Sequence, residues 1–248
     1  MATTSAPAPE SQMPSSALSR VVGVFFSPKN TFEEIVRKPT WIFPLILVVI
    51  TSTVVCVGIN QRMDWRQFMT QQIEKNPRAA DLPEEQKQKQ IEMGAKFAPM
   101  GTYIFGVLAP PVIIALVALL MMAAYNLLAG LKANYVTSLS IVAHAWVTSI
   151  VSSIIFLMVL FLRPPGTIDL ENPVASNPAV LLPEGSAKWI VTLLKSIDLF
   201  AIWIMILVAI GFAAINPKKL KGAKSFTIVL SVWVVFVVLR VAIAFIFS

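Results

Sequence analysis

The chain has 248 residues, 56% of them hydrophobic and 13% charged, with a mean hydropathy of +0.75 and a formal net charge of +7. Soluble domains carry roughly 25% charged residues; here the apolar residues form long uncharged blocks, so water is not the main solvent. The Lys and Arg residues stand mainly beside those blocks, the pattern of membrane anchoring and not of a nucleic-acid-binding face, which excludes nucleic acid as a partner.

Residues 1–19 are rich in Ala, Pro, Ser and Thr, with Glu10 and no basic residue before Arg20. They read as a disordered cytoplasmic tail. A signal peptide needs a basic start and an apolar core of about 7 to 15 residues, and the run from Val21 to Phe26 is shorter, so the first span is expected to be retained. Residues 20–40 read as an interfacial amphipathic segment. Thr31 and Glu34 have capping-box spacing, predicting a short helix with Phe32, Ile35 and Val36 on one face, Arg37 and Lys38 at headgroup level, and Pro39 ending it before Trp41. A helix lying on lipid and an ordinary lead-in to the first span both fit that pattern.

From residue 41 to 248 the sequence predicts a five-span membrane domain. Stretches of about 20 apolar residues, enough to cross a hydrocarbon core of about 30 Å, run roughly over 41–59, 101–131, 135–162, 198–215 and 226–247. Barrel strands would alternate apolar and polar residues, and these runs do not. The fold class is all-α: an integral membrane bundle of about five transmembrane helices with a short interfacial N-terminal helix. In the first connection, Trp65, Phe68, Met69 and Ile73 fall at helical spacing and a second helix start stands at Asp81 with Glu84. The third connection, Arg163 to Trp189, holds five prolines and reads as an irregular loop.

Basic residues set the orientation. The fourth connection carries Lys218, Lys219, Lys221 and Lys224 with no acid, and the lead-in carries Arg20, Lys29, Arg37 and Lys38. Both are expected in the cytoplasm, as is the short second connection with Lys132. Five spans place all three on one side. The third connection, with Arg163 and Lys188 against Asp169, Glu171 and Glu184, belongs outside. The N-terminus is therefore expected to be cytoplasmic and the C-terminus external.

No metalloprotease, phosphate-loop, CxxC or dinucleotide motif is present, and the chain has one histidine, His144, and one cysteine, Cys56. No catalytic residue, cofactor or metal site is assigned, and the chain reads as a non-enzyme. Polar groups inside spans are costly enough to count as site candidates. Thr137, Ser140, His144, Thr148 and Ser152 recur at steps of three and four, a stripe for interhelical hydrogen bonds or for a proton relay through His144. Pro110 and Pro111 withhold the amide hydrogens that would bond the carbonyls of Gly106 and Val107, so the second span is expected to kink or to break around a cavity. Asn126 reads as contact between helices. Asp198 and Arg240 reach similar depth, so either they pair, or Asp198 pairs with Lys195 while Arg240 extends outward. Small residues such as Ala209, Ala213, Ala242 and Ala244 permit a homo-oligomer.

The order of features resembles the Yip family, named for Ypt/Rab-interacting proteins. The resemblance starts at Phe26-Ser27-Pro28-Lys29-Asn30-Thr31-Phe32-Glu33-Glu34-Ile35, with Lys38-Pro39-Thr40-Trp41 and Pro44. It continues at Tyr125-Asn126-Leu127-Leu128-Ala129-Gly130, at Tyr135, and at Ile141-Val142-Ala143-His144-Ala145. It closes on Asp198-Leu199-Phe200-Ala201-Ile202-Trp203, Gly211 and the lysine turn. This implies five spans, a cytoplasmic N-terminus, and action through membrane lipids or a membrane-protein partner. The aspartate-leucine-tyrosine-glycine stretch expected before the first span of eukaryotic members is absent, which argues against a Rab-type GTPase partner and for similarity to bacterial members in an inner membrane. The functional expectation is a non-enzymatic membrane-organising or trafficking-like role. The alternative is a small transporter or channel using the second span and the polar face of the third.

Overall fold

A computed structural model describes residues 16–74, 76, 79, 82–164, 170, 172–183 and 185–246. The described residues form helices and no strand. The tail expected over 1–19 lies outside them except for 16–19, which are already ordered: Ser16 accepts the Ser19 N–H at 3.1 Å and caps α1, Ala17–Phe26. The proposed Asp81 cap also lies outside the described residues.

The segment over 20–40 forms two helices and not one. After α1, Ser27 breaks the chain and α2, Pro28–Arg37, starts with proline in the first turn, where a missing N–H leaves no bond unmade. Thr31 is therefore not a cap. It lies inside α2, and its hydroxyl donates to the Ser27 carbonyl at 2.9 Å. The apolar face of α2 meets protein: Phe32 and Ile35 are fully buried, and Phe32 packs towards Gly211. Arg20, also buried, donates from Nη1 to the Lys38 carbonyl at 2.8 Å and to Thr40 Oγ1 at 3.2 Å, tying α1 to the chain entering the first span.

The first span is α3, Ile42–Arg62. A short helix, α4, Trp65–Glu74, follows at the helical spacing read in the sequence. The expected second surface helix is not separate. It is the start of α5, Glu84–Ala129, 46 residues long, or about 69 Å at ~1.5 Å per residue. That exceeds a hydrocarbon core of about 30 Å, so the polar stretch from Glu84 stands clear of the apolar run, with α4 along it and Met69 seated at Gly94. The helix continues without interruption through Pro99, Pro110 and Pro111, and the break considered at the proline pair is not present.

Gly130, at φ 57°, ends α5 in the left-handed region, with its N–H on the Asn126 carbonyl and that of Leu131 on the Tyr125 carbonyl, a glycine C-cap. The third span is α6, Tyr135–Trp146, and α7, Ser149–Leu162. Between them the amides of Val147, Thr148, Ile150 and Val151 bond three residues back, a tightened 3₁₀ turn inside the span. The third connection is less irregular than its prolines imply: it holds a 3₁₀ turn at Pro178–Leu181, and then α8, Lys188–Ser196, bends by 46° into α9, Leu199–Ile215. The last span is α10, Gly222–Ile246. Among the described residues, four helical stretches are long and apolar enough to cross a membrane, α6 with α7 counting as one, and five when α8 and α9 count as one bent span.

At the centre is α6. Every residue from Thr137 to Ala145 is buried, and it touches α1, α2, α3, α5 and α9. Ser138, Ser140, Ala143 and Ala145 are small enough to let those neighbours approach closely. The bundle ends sort as the charge pattern requires. Lys219 Nζ donates to the Gly130 carbonyl at 2.7 Å, and Pro217, Leu220 and Lys221 stand beside Lys29 and Glu33 of α2. The lead-in, the second connection and the lysine turn therefore share one end.

Candidate functional site

The polar stripe of the third span is buried as expected at Thr137, Ser140, His144 and Thr148, but it does not bond between helices. Ser140 Oγ donates to the Val136 carbonyl at 2.8 Å, His144 Nδ1 lies 2.8 Å from the Ser140 carbonyl, Thr148 Oγ1 donates to Ala145 and Ser152 Oγ to Ser149. Ser140, His144, Thr148 and Ser152 each close on a carbonyl four or three residues back. The helical spacing that made them look like one interhelical surface also puts a carbonyl within reach of each side chain.

The hydrogen bonds of the Asn126 side chain go to the turn that follows its helix. Its amide clamps the α5–α6 turn: Nδ2 donates to the Ala133 carbonyl at 2.9 Å and Oδ1 accepts the Ala133 N–H at 2.7 Å. Asp198 pairs with neither Arg240 nor Lys195 within 4.0 Å. Its Oδ1 accepts the Phe200 and Ala201 N–H groups at 2.9 and 3.0 Å, and Ser176 Oγ donates to Oδ2. It is the N-cap of α9, a position that aspartate favours. Arg240 lies over the Phe236 ring, 5.6 Å from its centroid. The two charged residues do border one cavity of about 340 Å³, together with Lys195 and Ser152.

Pro110 lines a second cleft, of about 240 Å³, with Ser52 of α3, Trp146, and Ser149 and Ser153 of α7. One helical turn away, Gly106 lets α5 close on Cys56, whose thiol donates to the Thr102 carbonyl at 3.2 Å.

Among the interhelical polar contacts that escaped the sequence reading, two each join three helices. Tyr125, fully buried and stacked on Phe212 at 4.2 Å, donates to the Ser225 carbonyl at 2.8 Å, and Ser225 Oγ donates to the Ala209 carbonyl at 2.6 Å. This ties α5, α9 and α10 together, and it places Ala209 inside the bundle, away from any oligomer contact. Asn60 Nδ2 donates to Thr102 Oγ1 at 2.7 Å while Asn60 Oδ1 accepts from Trp65 Nε1 at 3.0 Å, joining α3, α4 and α5. Tyr125 and Asn60 stand near span ends beside apolar neighbours, and no spacing rule singles them out.

Among the described residues, no group of three or more His, Cys, Asp or Glu side chains converges as a metal site would require. The described residues instead offer a buried polar helix, a hydroxyl-lined cleft, and a cavity bordered by Lys195, Asp198 and Arg240 at the end opposite the lysine turn. The family model for the Yip1 domain matches residues 22–243. The chain belongs to the Yip1 domain family. No curated protein and no solved structure matches it. The Yip1 domain match begins within α1 and ends within α10, so α1, α2 and all the spans belong to one unit. That agrees with the buried contacts of Phe32, Ile35 and Arg20, which make the lead-in part of the bundle.

Proposed function

We propose that this Yip1 domain protein is non-enzymatic and acts through contacts with lipids and membrane-protein partners, in a membrane-organising or trafficking-like role. The observation that carries this reading is that the polar stripe of the third span closes on its own backbone: His144, Ser140 and Thr148 each occupy a neighbouring carbonyl. Chemistry at that centre would first have to displace those bonds. The resemblance to bacterial members favours an inner-membrane location, and the charge pattern favours the lysine-turn end in the cytoplasm and the C-terminus outside. A Rab-type GTPase is not among the proposed partners, because Arg37-Lys38-Pro39-Thr40-Trp41 stands where the eukaryotic lead-in motif would be.

A second reading, a small transporter or channel, draws on the cleft where Ser52, Ser149 and Ser153 meet Pro110 within the membrane-spanning layer. Proteoliposome flux separates the two. Under the leading reading, vesicles holding the protein release trapped ions and small solutes no faster than empty vesicles. Reproducible flux, abolished by Ser149→Leu at the cleft wall, would establish transport and overturn it.

A further inference from the structure

Charge is distributed unevenly at the end of the bundle that carries the lysine turn. All four lysines of the turn are exposed, as are Lys29 and Arg37 of α2, Lys38 and Lys132. None of these eight cations makes an ion pair within 4.0 Å among the described residues, and Lys219 meets only the neutral Gly130 carbonyl. Of the acids at this end, Glu34 faces the buried Arg20 at 4.0 Å, which leaves Glu33 and, in the tail, Glu10. The chain's ten other acids fall between Asp64 and Glu92 or between Asp169 and Asp198, segments that a span separates from this end. Eight cations therefore stand against two carboxylates even when the tail is counted.

Two of the eight, Lys29 and Lys221, border a groove of about 420 Å³ between α2 and the turn from α9 to α10. Glu33 is its one carboxylate, and the rest of the wall is apolar, chiefly Ile210, Ala213 and Ala214 of α9 with Leu220. From Ile215, the last residue of α9, to Ile210 the wall runs five residues inward, about 7 Å at ~1.5 Å per residue. An apolar face sunk into the headgroup-to-acyl boundary reaches about 5 to 10 Å. On α1, which packs on α2, Leu18, Val22 and Phe26 recur at every fourth residue and are all exposed, so this end carries an apolar face beside its cations. Basic clusters next to membrane spans complement anionic headgroups. An ammonium binds phosphate as a point charge, and apolar walls suit the first methylenes of an acyl chain.

We propose that this groove is a binding site for an anionic phospholipid of the leaflet at the lysine-turn end. Its phosphate lies between Lys29 and Lys221, and the start of one acyl chain lies over Ile210, Ala213 and Ala214. The other six cations add to the preference for anionic over zwitterionic headgroups. The inference deepens the lipid-contact reading above and rests on it.

The test is native mass spectrometry of the full chain in a non-ionic detergent, titrated with dioleoyl phosphatidylglycerol, dioleoyl phosphatidylcholine or inorganic phosphate. Phosphatidylglycerol is expected to bind about tenfold more tightly than phosphatidylcholine. Lys29→Gln and Lys221→Gln should each weaken phosphatidylglycerol about fivefold and leave phosphatidylcholine unchanged; both side chains are exposed, so folding is spared. Lys38→Gln, exposed but outside the groove, acts only through screened charge and should cost less than about twofold. Ala214→Phe, which fills the groove, should weaken phosphatidylglycerol with every cation in place. Equal affinity for the two lipids, or a Lys29→Gln/Lys221→Gln protein that elutes as the native species and binds phosphatidylglycerol like the parent, overturns the proposal. A Lys38→Gln loss as large as that of Lys29→Gln also overturns it, by showing a diffuse charge effect, as does displacement of phosphatidylglycerol by millimolar inorganic phosphate, by showing a site for a free anion. Flux is measured separately, so a missing lipid preference without flux removes this site and leaves the non-transport reading standing.

Discussion

Phe32→Ala tests whether α2 is part of the bundle or a helix resting on lipid. The side chain is fully buried, and the nearest wall is Gly211, where an added Cβ would come within 3.0 Å of the ring. Truncating a buried Phe to Ala costs about 3 to 5 kcal/mol in packed cores, and for a chain of this size each kcal/mol moves Tm by about 2 to 4 °C. The expected loss is therefore about 6 to 20 °C, read by thermal unfolding of the detergent-solubilised protein with size-exclusion detection. Phe26, in the preceding helix, is 85% exposed and supplies the control. Lipid tails are about as apolar as a side chain, so truncation on a lipid-facing surface forfeits little packing. Phe26→Ala should shift Tm by no more than a degree or two. If Phe32→Ala shifts it no further, α2 is not docked on α9 and the close approach at Gly211 has no structural role.

The remaining predictions concern other contacts. Gly106→Ala drives a methyl group into Cys56 Sγ and should lower stability by about 1 to 3 kcal/mol, as overpacking does; adding Cys56→Ala should recover most of that loss in the same thermal assay, and failure to recover would mean that the two residues are not in contact. Because Asp198 caps α9 and does not pair with Arg240, the charge-exchanged double mutant Asp198→Arg/Arg240→Asp should give no better folded yield than the product of the single-mutant effects. Asp198→Asn, which preserves the cap, should lose less than Asp198→Ala, whose cost is about 0.5 to 2 kcal/mol; rescue by the double exchange would restore the ion pair. Sidedness can be read on a Cys56→Ser background: Lys218→Cys should react with an impermeant maleimide only from the cytoplasmic side and Leu181→Cys only from outside. Leu220, in the same turn as Lys218, is 1% exposed and would report nothing. The opposite labelling pattern would reverse the topology.

The amino-acid sequence alone determined the solvent of this protein and, to within one, the number of crossings. Runs of about 20 uncharged residues leave no soluble solution, and a backbone in lipid must close its hydrogen bonds within helices or a barrel. Clustered lysines likewise told which connections share an end, because charge beside a span is local information: Lys219 on the Gly130 carbonyl joins two turns that the charge rule had already put together. The motif order around Phe26, Tyr125 and Asp198 sufficed for the family, which the match over residues 22–243 bears out.

The partners of each polar residue were decided only by the tertiary structure. Asp198, Asn126 and the serines of α6 all had a backbone group within a few residues, and a short side chain in a low-dielectric layer satisfies itself locally before it reaches across to another helix. Composition cannot show which competitor wins. Nor could it show that the apolar face of α2 meets Gly211 and α6 instead of lipid, since hydrophobic periodicity records that a face avoids water and not what covers it. The meeting of Tyr125 with Phe212 and Ser225 was hidden for the same reason: it depends on α5, α9 and α10 packing together, a contact among segments separated by scores of residues.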